Sequence, residues 1–251
     1  MIAGFEPEVL ALIVGVFVLA GLVKGTTGIG LPTAAVGMMS QVIDPRQAIA
    51  LVVFPSLLSN AWQMWRSGGV GEVLRRYWLY IACLMSLIAV VSMTLTARVE
   101  TDTLMIILGC VVMFFSVSSL VWSPPFLPER WDRCGQVVAG VASGLLGGLT
   151  AIWAPAMVTY LMARRVAKDD FVAATGVMIF AGTLPLIGGF WTSGLINGAS
   201  SGVSMALTLP ALLGFAMGEA LRRRLDAERF RTVVLLVFLV MGLNLIRKAM
   251  L

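Results

Sequence analysis

Two stretches of this chain share an unusual sequence of glycine, threonine and proline, and each interrupts an otherwise apolar run. Residues 21–32 read GLVKGTTGIGLP, and residues 144–155 read GLLGGLTAIWAP. Six of the twelve aligned positions are identical, namely Gly, Leu, Gly, Thr, Ile and Pro. Interrupted hydrophobic segments at corresponding places of two halves are typical of secondary transporters built from internal repeats. The sequence therefore predicts two related halves, each containing a broken helix.

The composition indicates that these halves lie in a lipid bilayer. Hydrophobic residues make up 59% of the chain and charged residues only 12%, whereas about a quarter of an ordinary soluble domain is charged. A hydrocarbon core about 30 Å thick requires roughly 20 apolar residues per helix, so that 251 residues supply about eight membrane segments. We therefore predict an all-α, polytopic membrane protein with little material left for a soluble domain.

The apolar runs occur in the same order on either side of a Pro-rich segment at residues 123–130. In each half, two short apolar pieces flank the break and three longer runs follow, which are near full length for transmembrane helices. The short pieces are residues 9–23, 31–40, 136–149 and 153–163, and the longer runs are residues 47–65, 77–97, 103–122, 171–190, 201–218 and 232–246. We assign residues 1–122 to a first transmembrane repeat, 123–135 to a linker and 136–251 to a second repeat.

Charged residues are distributed oppositely in the corresponding loops of the two halves. Residues 66–76 contain three arginines and residues 192–200 no charge, whereas residues 41–46 contain one acid and one base and residues 164–168 three bases. Because loops rich in Lys and Arg face the cytoplasm, corresponding loops are expected on opposite sides. This pattern predicts inverted-topology repeats, each with three full spans and a re-entrant-like hairpin. The last helix has arginines at 222–224 before it and bases at 247–248 after it, so loop charge does not predict its direction in the membrane.

The residues at the breaks favour an anion. Glycines let the backbone leave helical geometry, and Pro32 and Pro155 suit the first turn of the next helix. The unpaired N–H groups and positive dipole end of such a helix attract negative charge, and threonine hydroxyls can add donors. The residues carrying this expectation are Gly25, Thr26, Thr27, Gly28 and Gly30 in the first break, and Gly148 and Thr150 in the second. Two such breaks meeting near mid-depth would form one anion site.

Four side chains near the breaks each have two interpretations. Lys24 supplies a cation for the anion if it faces a cavity, or else extends its ammonium to the membrane interface. Asn60 and Gln63, one helical turn apart, form either a polar stripe facing a cavity or hydrogen bonds between helices. Trp153 either lines the site or packs against its neighbours. The sequence leaves these alternatives open.

The residues that are missing narrow the function class. The chain has no histidine, which disfavours a Ser-His or Cys-His catalytic pair and a His-based metal or haem site. Its thirteen acids lie in loops or near segment ends, and its three cysteines have no metal-like spacing. No aromatic and basic patch suggests nucleic-acid binding. We therefore expect no enzyme, catalytic residue, metal or cofactor, and the alternatives to a carrier are an anion channel or a non-transporting membrane assembly subunit.

The sequences at residues 25–32 and 144–155, each followed by an Ala-rich helix, resemble those of the TauE/SafE sulfite and organosulfonate exporter family. The resemblance covers nearly the whole chain. It implies a permease that exports a small anion, either sulfite or an organosulfonate, across the bacterial inner membrane by alternating access around the two breaks. The expected partners are therefore the small anionic substrate and the lipid bilayer, with the oligomeric state left open.

Overall fold

The computed structural model describes residues 6–96, 98–121, 124–221 and 227–250, and throughout these residues the secondary structure is helical. The helices are α1 (Pro7–Thr27), α2 (Leu31–Met39), α3 (Pro45–Ser67), α4 (Val70–Arg76), α5 (Trp78–Thr94), α6 (Thr101–Val121), α7 (Asp132–Thr150), α8 (Ala154–Ala163), α9 (Lys168–Thr192), α10 (Gly198–Ala206), α11 (Thr208–Leu221) and α12 (Ala227–Ala249). A 3₁₀ turn, Glu129–Trp131, precedes α7. The predicted all-α fold class is confirmed.

Six described segments are long and apolar enough to cross a membrane, and the bent pair α4 and α5 would make a seventh. The six are α1, α3, α6, α9, the combined segment Gly198–Leu221 and residues Thr232–Ala249 of α12. The number is below the eight or so segments that length alone allows, because α2 and α8 have only 9 and 10 residues. A multi-pass membrane protein is confirmed. The arginines at 222–224, which the sequence analysis used in considering the orientation of the last helix, lie outside the described residues.

Helix α1 is longer than the sequence suggested. We expected its apolar part to end near residue 23, short of a full span, but the helix continues to Thr27 and has 21 residues, about 31 Å. Gly21 and Gly25 lie within this helix, and the backbone of α11 lies directly against them, leaving no room for a larger side chain. The helix ends only at Gly28, whose φ of +86° is the left-handed conformation that glycine accepts most readily.

The two breaks have the same helix boundaries. α1 ends at Thr27 and α2 begins at Leu31, while α7 ends at Thr150 and α8 begins at Ala154, which are the aligned positions of the two sequence stretches. The residue after each first helix is left-handed, with φ of +86° at Gly28 and +57° at Ala151. The sequence match thus corresponds to a match in helix boundaries and in this left-handed residue, whereas the residue before the second helix differs, with φ of +95° at Gly30 and −122° at Trp153.

Helices of one half pack on helices of the other through small residues. α1 lies along α11, α5 along α7, α3 on α9 and α6 on α12. A Cβ atom placed on Gly21 would come within 2.1 Å of the Ala211 carbonyl oxygen, and one on Gly148 within 2.6 Å of the Val91 Cβ. Glycines at such interfaces allow backbones to approach closely, which stabilises helix association where water provides no driving force. This packing fixes the end of α1 beside the end of α11.

Candidate functional site

Lys24 lies one turn before the first break and is buried, with an exposed fraction of 1%. Its ammonium Nζ donates a hydrogen bond to the Asn60 Oδ1 at 2.7 Å and another to the Ser59 Oγ at 3.1 Å, both on α3. The amide nitrogen of Asn60 in turn donates to the Ser56 carbonyl at 2.7 Å, which directs the Asn60 oxygen towards the lysine. The cation is therefore held inside the bundle by neutral acceptors.

Among the residues that the structure describes, no carboxylate lies at ion-pair distance from Lys24. In the described part of the chain, the ion pairs are Arg66–Glu219 and Arg164–Asp132, and no carboxylate lies within 4.0 Å of the Lys24 ammonium. An ammonium has three N–H donors, of which two are used by Ser59 and Asn60. A buried charge without a partner is costly and within a membrane usually marks a functional position. The third donor of the ammonium thus remains available to a ligand.

Lys24 faces a cavity of about 210 Å³ between α1, α3, α9 and α11. The lining residues are Lys24, Gly25, Gly28, Trp62, Gln63, Arg66, Ser67, Val172, Phe215 and Glu219. The Phe215 ring centre lies 6.0 Å from the Lys24 Nζ, at the outer limit for a cation–π contact. The cavity combines two cations, one carboxylate and an amide, and is large enough for a small polyatomic anion.

Gln63 combines both roles that the sequence left open. Its amide nitrogen donates to the Val172 carbonyl at 2.8 Å and to the Thr175 Oγ1 at 3.2 Å, which joins α3 to α9. The same side chain lines the Lys24 cavity, and its buried Oε1 atom has no hydrogen-bond partner. Asn60, by contrast, does not line the cavity and contributes to it by accepting a hydrogen bond that holds the Lys24 ammonium in place.

The threonine hydroxyls are bonded within the helix ends. Thr26 Oγ1 donates to the Leu22 and Val23 carbonyls, each at 2.9 Å, and Thr27 Oγ1 reaches the Val23 carbonyl at 2.8 Å. Thr150 Oγ1 lies 2.7 Å from the Leu146 carbonyl, which is the aligned position in the second half. Thr27 and Thr150 are therefore bonded in the same way at the two breaks, Thr26 has no counterpart in the second half, and none of the three hydroxyls lines the Lys24 cavity.

The second break has different surroundings from the first. The ring of Trp153 covers Gly147, where a Cβ atom would lie 2.7 Å from the Trp153 Cε3. The first break has the large and small residues the other way round at these two aligned positions. Lys24 aligns with Gly147, and Gly30 aligns with Trp153. Trp153 is only 3% exposed, so packing is its role in this structure. Because the Trp153 ring fills the space beside Gly147, a lysine side chain fits at the first break and not at the second.

Among the predicted site residues, Lys24, Gly25, Gly28 and Gln63 line one cavity and Asn60 holds the lysine. Gly30 instead borders a smaller apolar cavity with Phe115 and Phe238. Gly148, Thr150 and Trp153 do not join the lining of the Lys24 cavity, because α7 runs along α5 while α1 runs along α11. The structure thus builds its cationic cavity at one break.

Sequence reasoning missed six of the ten lining residues of this cavity, among them its two other charged groups, Arg66 and Glu219. Arg66 follows Asn60 and Gln63 on α3 at spacings of six and three residues, so the polar side of this helix continues to it. This spacing can be read from the sequence, but Arg66 was used in the sequence analysis only as a loop charge that predicts which side of the membrane the loop faces. Glu219 gave no such signal, because its contact with Arg66 depends on how α3 and α11 pack.

Comparison with known proteins yields one family. A family model described as Sulfite exporter TauE/SafE matches residues 13–245, nearly the whole chain and both breaks. The search of curated proteins found no match, and the search of solved structures found none either.

Proposed function

Because the chain belongs to the TauE/SafE sulfite exporter family, whose members are permeases and not enzymes, we propose that it carries a small anion through the Lys24 cavity. The expected substrate is sulfite or a small organosulfonate, and the expected location is the inner membrane of a bacterium. The observation that carries this proposal is the buried Lys24 ammonium, which has two neutral acceptors and, within the described residues, no carboxylate at 4.0 Å or less.

The chemistry of the cavity suits an oxyanion. A sulfite or sulfonate group has several acceptor oxygens and no donor of its own when ionised, which matches the free N–H of Lys24 and the guanidinium of Arg66. An anion between these groups would neutralise a charge that is otherwise buried alone. Phe215 and Val172 form apolar walls beside these groups.

Alternating access is the transport mechanism that we include in the proposal. Contacts of the equivalent helices α3 and α9 support opposite directions in the two halves. α1 runs parallel to α11, with Gly21 beside Ala211 and Gly25 beside Glu219, and α7 runs parallel to α5, so the packing between the halves is repeated. The end of α3, α4 and the start of α9 border one common cavity, so α9 starts where α3 ends. Such an arrangement lets one half move against the other around a site between them.

The inverted insertion gives a direct prediction for the loops. A cysteine introduced within residues 192–200 should react with a membrane-impermeant thiol reagent from outside intact cells, and one within residues 68–72 should react only after the cells are opened. The reactions should be carried out in a background without Cys83, Cys110 and Cys134. Labelling of both positions from the same side would contradict the inverted arrangement.

Binding of the proposed substrate class tests the function itself. We expect sulfite and small sulfonates, added at millimolar concentrations, to raise the melting temperature of the purified protein in detergent. Ligand at about 100 times its Kd stabilises a folded state by about 2.7 kcal/mol. Neutral sugars and monovalent cations should produce no comparable shift at equal ionic strength. Stabilisation by cations or sugars and by none of the anions would contradict the proposed substrate class.

A further inference from the structure

A second cation of the cavity, Arg66, is already paired with a carboxylate. Its Nη1 atom lies 2.9 Å from one carboxylate oxygen of Glu219 and 3.2 Å from the other. Both bonds use a single guanidinium nitrogen, so Nε and Nη2 retain donors that these two bonds leave unused. Arg66 and Glu219 both line the cavity that Lys24 faces. The pair therefore lies where an incoming anion would meet it.

We propose that Arg66 is a second anion-binding group of this cavity, and that Glu219 occupies it as an internal competitor until the substrate arrives. The inference rests on the proposed function, since it concerns the same cavity and an anionic substrate. An oxyanion that binds Arg66 takes the place of the Glu219 carboxylate. The anion is then held between two cations, Lys24 on α1 and Arg66 on α3.

The exposure of the ion pair makes such an exchange inexpensive. The side chains of Arg66 and Glu219 are 52% and 42% exposed, so water screens their attraction. Exposed ion pairs contribute little to stability, at most about fivefold in an equilibrium constant. A substrate anion that also binds the buried Lys24 ammonium can therefore displace Glu219 from Arg66 and keep most of its binding energy.

The backbone holds Glu219 in the competing position. Its amide nitrogen would lie 2.8 Å from a Cβ atom placed on Gly25, the residue next to Lys24. Arg66 lies two turns beyond Ser59 on α3, the helix that also provides Asn60. The Arg66–Glu219 pair consequently links α3 to α11 at the mouth of the cavity, and its exchange for substrate would release this link.

The exchange predicts a gain of affinity when the competitor is removed. Glu219→Gln should lower the Kd of sulfite by up to about fivefold, and Arg66→Gln should raise it by a similar or larger factor. In the Arg66→Gln background, Glu219→Gln should have little further effect, because there is no guanidinium left to free. Isothermal titration with sulfite on the four purified proteins measures these values.

Two exposed residues of the short helix α4 provide matched controls. Glu72→Gln and Arg75→Gln make the same charge changes away from the Lys24 cavity and should leave the Kd unchanged. An equal effect of Glu219→Gln with and without Arg66 would overturn the exchange, since Glu219 would then act only as a general repulsive charge. A wild-type protein that binds no anion would overturn the proposed function itself, so the two failures are distinguishable.

Discussion

Lys24→Gln is expected to reduce anion transport by about tenfold or more while leaving the protein folded. Glutamine can still donate hydrogen bonds towards Ser59 and Asn60, but it lacks the positive charge that attracts the substrate. A hydrogen bond to a charged group contributes about 1.5–3 kcal/mol, and each 1.4 kcal/mol corresponds to about tenfold in affinity. Initial rates of sulfite uptake into vesicles with equal amounts of protein measure the loss.

The stability of the same variant separates function from folding. Since Lys24 is buried without a carboxylate, its removal should leave the melting temperature unchanged or raise it. Lys168→Gln provides the matched control, because it removes the same charge from an exposed position at the start of α9 and should transport normally. Normal transport by a well-folded Lys24→Gln protein would exclude an electrostatic role for this lysine.

Gly25→Ala is expected to destabilise the protein severely through the contact between α1 and α11. The added Cβ would lie 2.2 Å from the Phe215 carbonyl oxygen and 2.8 Å from the Glu219 amide nitrogen. Both are backbone atoms, so only a separation of the two helices can relieve the overlap. Overpacking of this kind costs about 3 kcal/mol, which corresponds to roughly 10 °C in melting temperature for a chain of this size.

Gly15 lies on the same helix and provides the control for this substitution. A Cβ atom on Gly15 would meet nothing within 4 Å, and the residue is exposed. Gly15→Ala should therefore leave the melting temperature unchanged or raise it slightly, because alanine favours a helix by about 1 kcal/mol over glycine. Equal melting temperatures for the two variants would show that α1 and α11 do not pack as described.

The helices could be predicted from sequence where local signals determine them. Apolar runs located the long helices, and the aligned glycine, threonine and proline residues located both breaks. The end of α1 was misplaced because Lys24 and Gly25 resemble residues of a break. In the structure this part of α1 packs against α11, whose glycines Gly214 and Gly218 accept the backbone of α1. No local pattern around residue 24 contains that information.

The surroundings of the cavity illustrate the same limit. Lys24, Asn60 and Gln63 were found because polar residues inside apolar helices are unusual wherever those helices pack. The partners Ser59 and Glu219 were not found, because a serine is unremarkable in a membrane helix and a glutamate near a helix end is normally solvated. Similar sequences at the two breaks also do not determine their neighbours, since Lys24 faces a cavity and Trp153 packs against Gly147 and Gly182.

The concentration dependence of sulfite uptake tests most directly whether the protein is a carrier. The measurement uses sealed vesicles containing the wild-type protein, labelled sulfite, and protein-free vesicles as the baseline. Uptake should saturate as the sulfite concentration rises, and unlabelled sulfonates should reduce it, because each transport cycle occupies the one cavity at Lys24. A rate that rises linearly without saturation would indicate a channel. A rate equal to that of protein-free vesicles would contradict sulfite transport and favour a membrane assembly subunit.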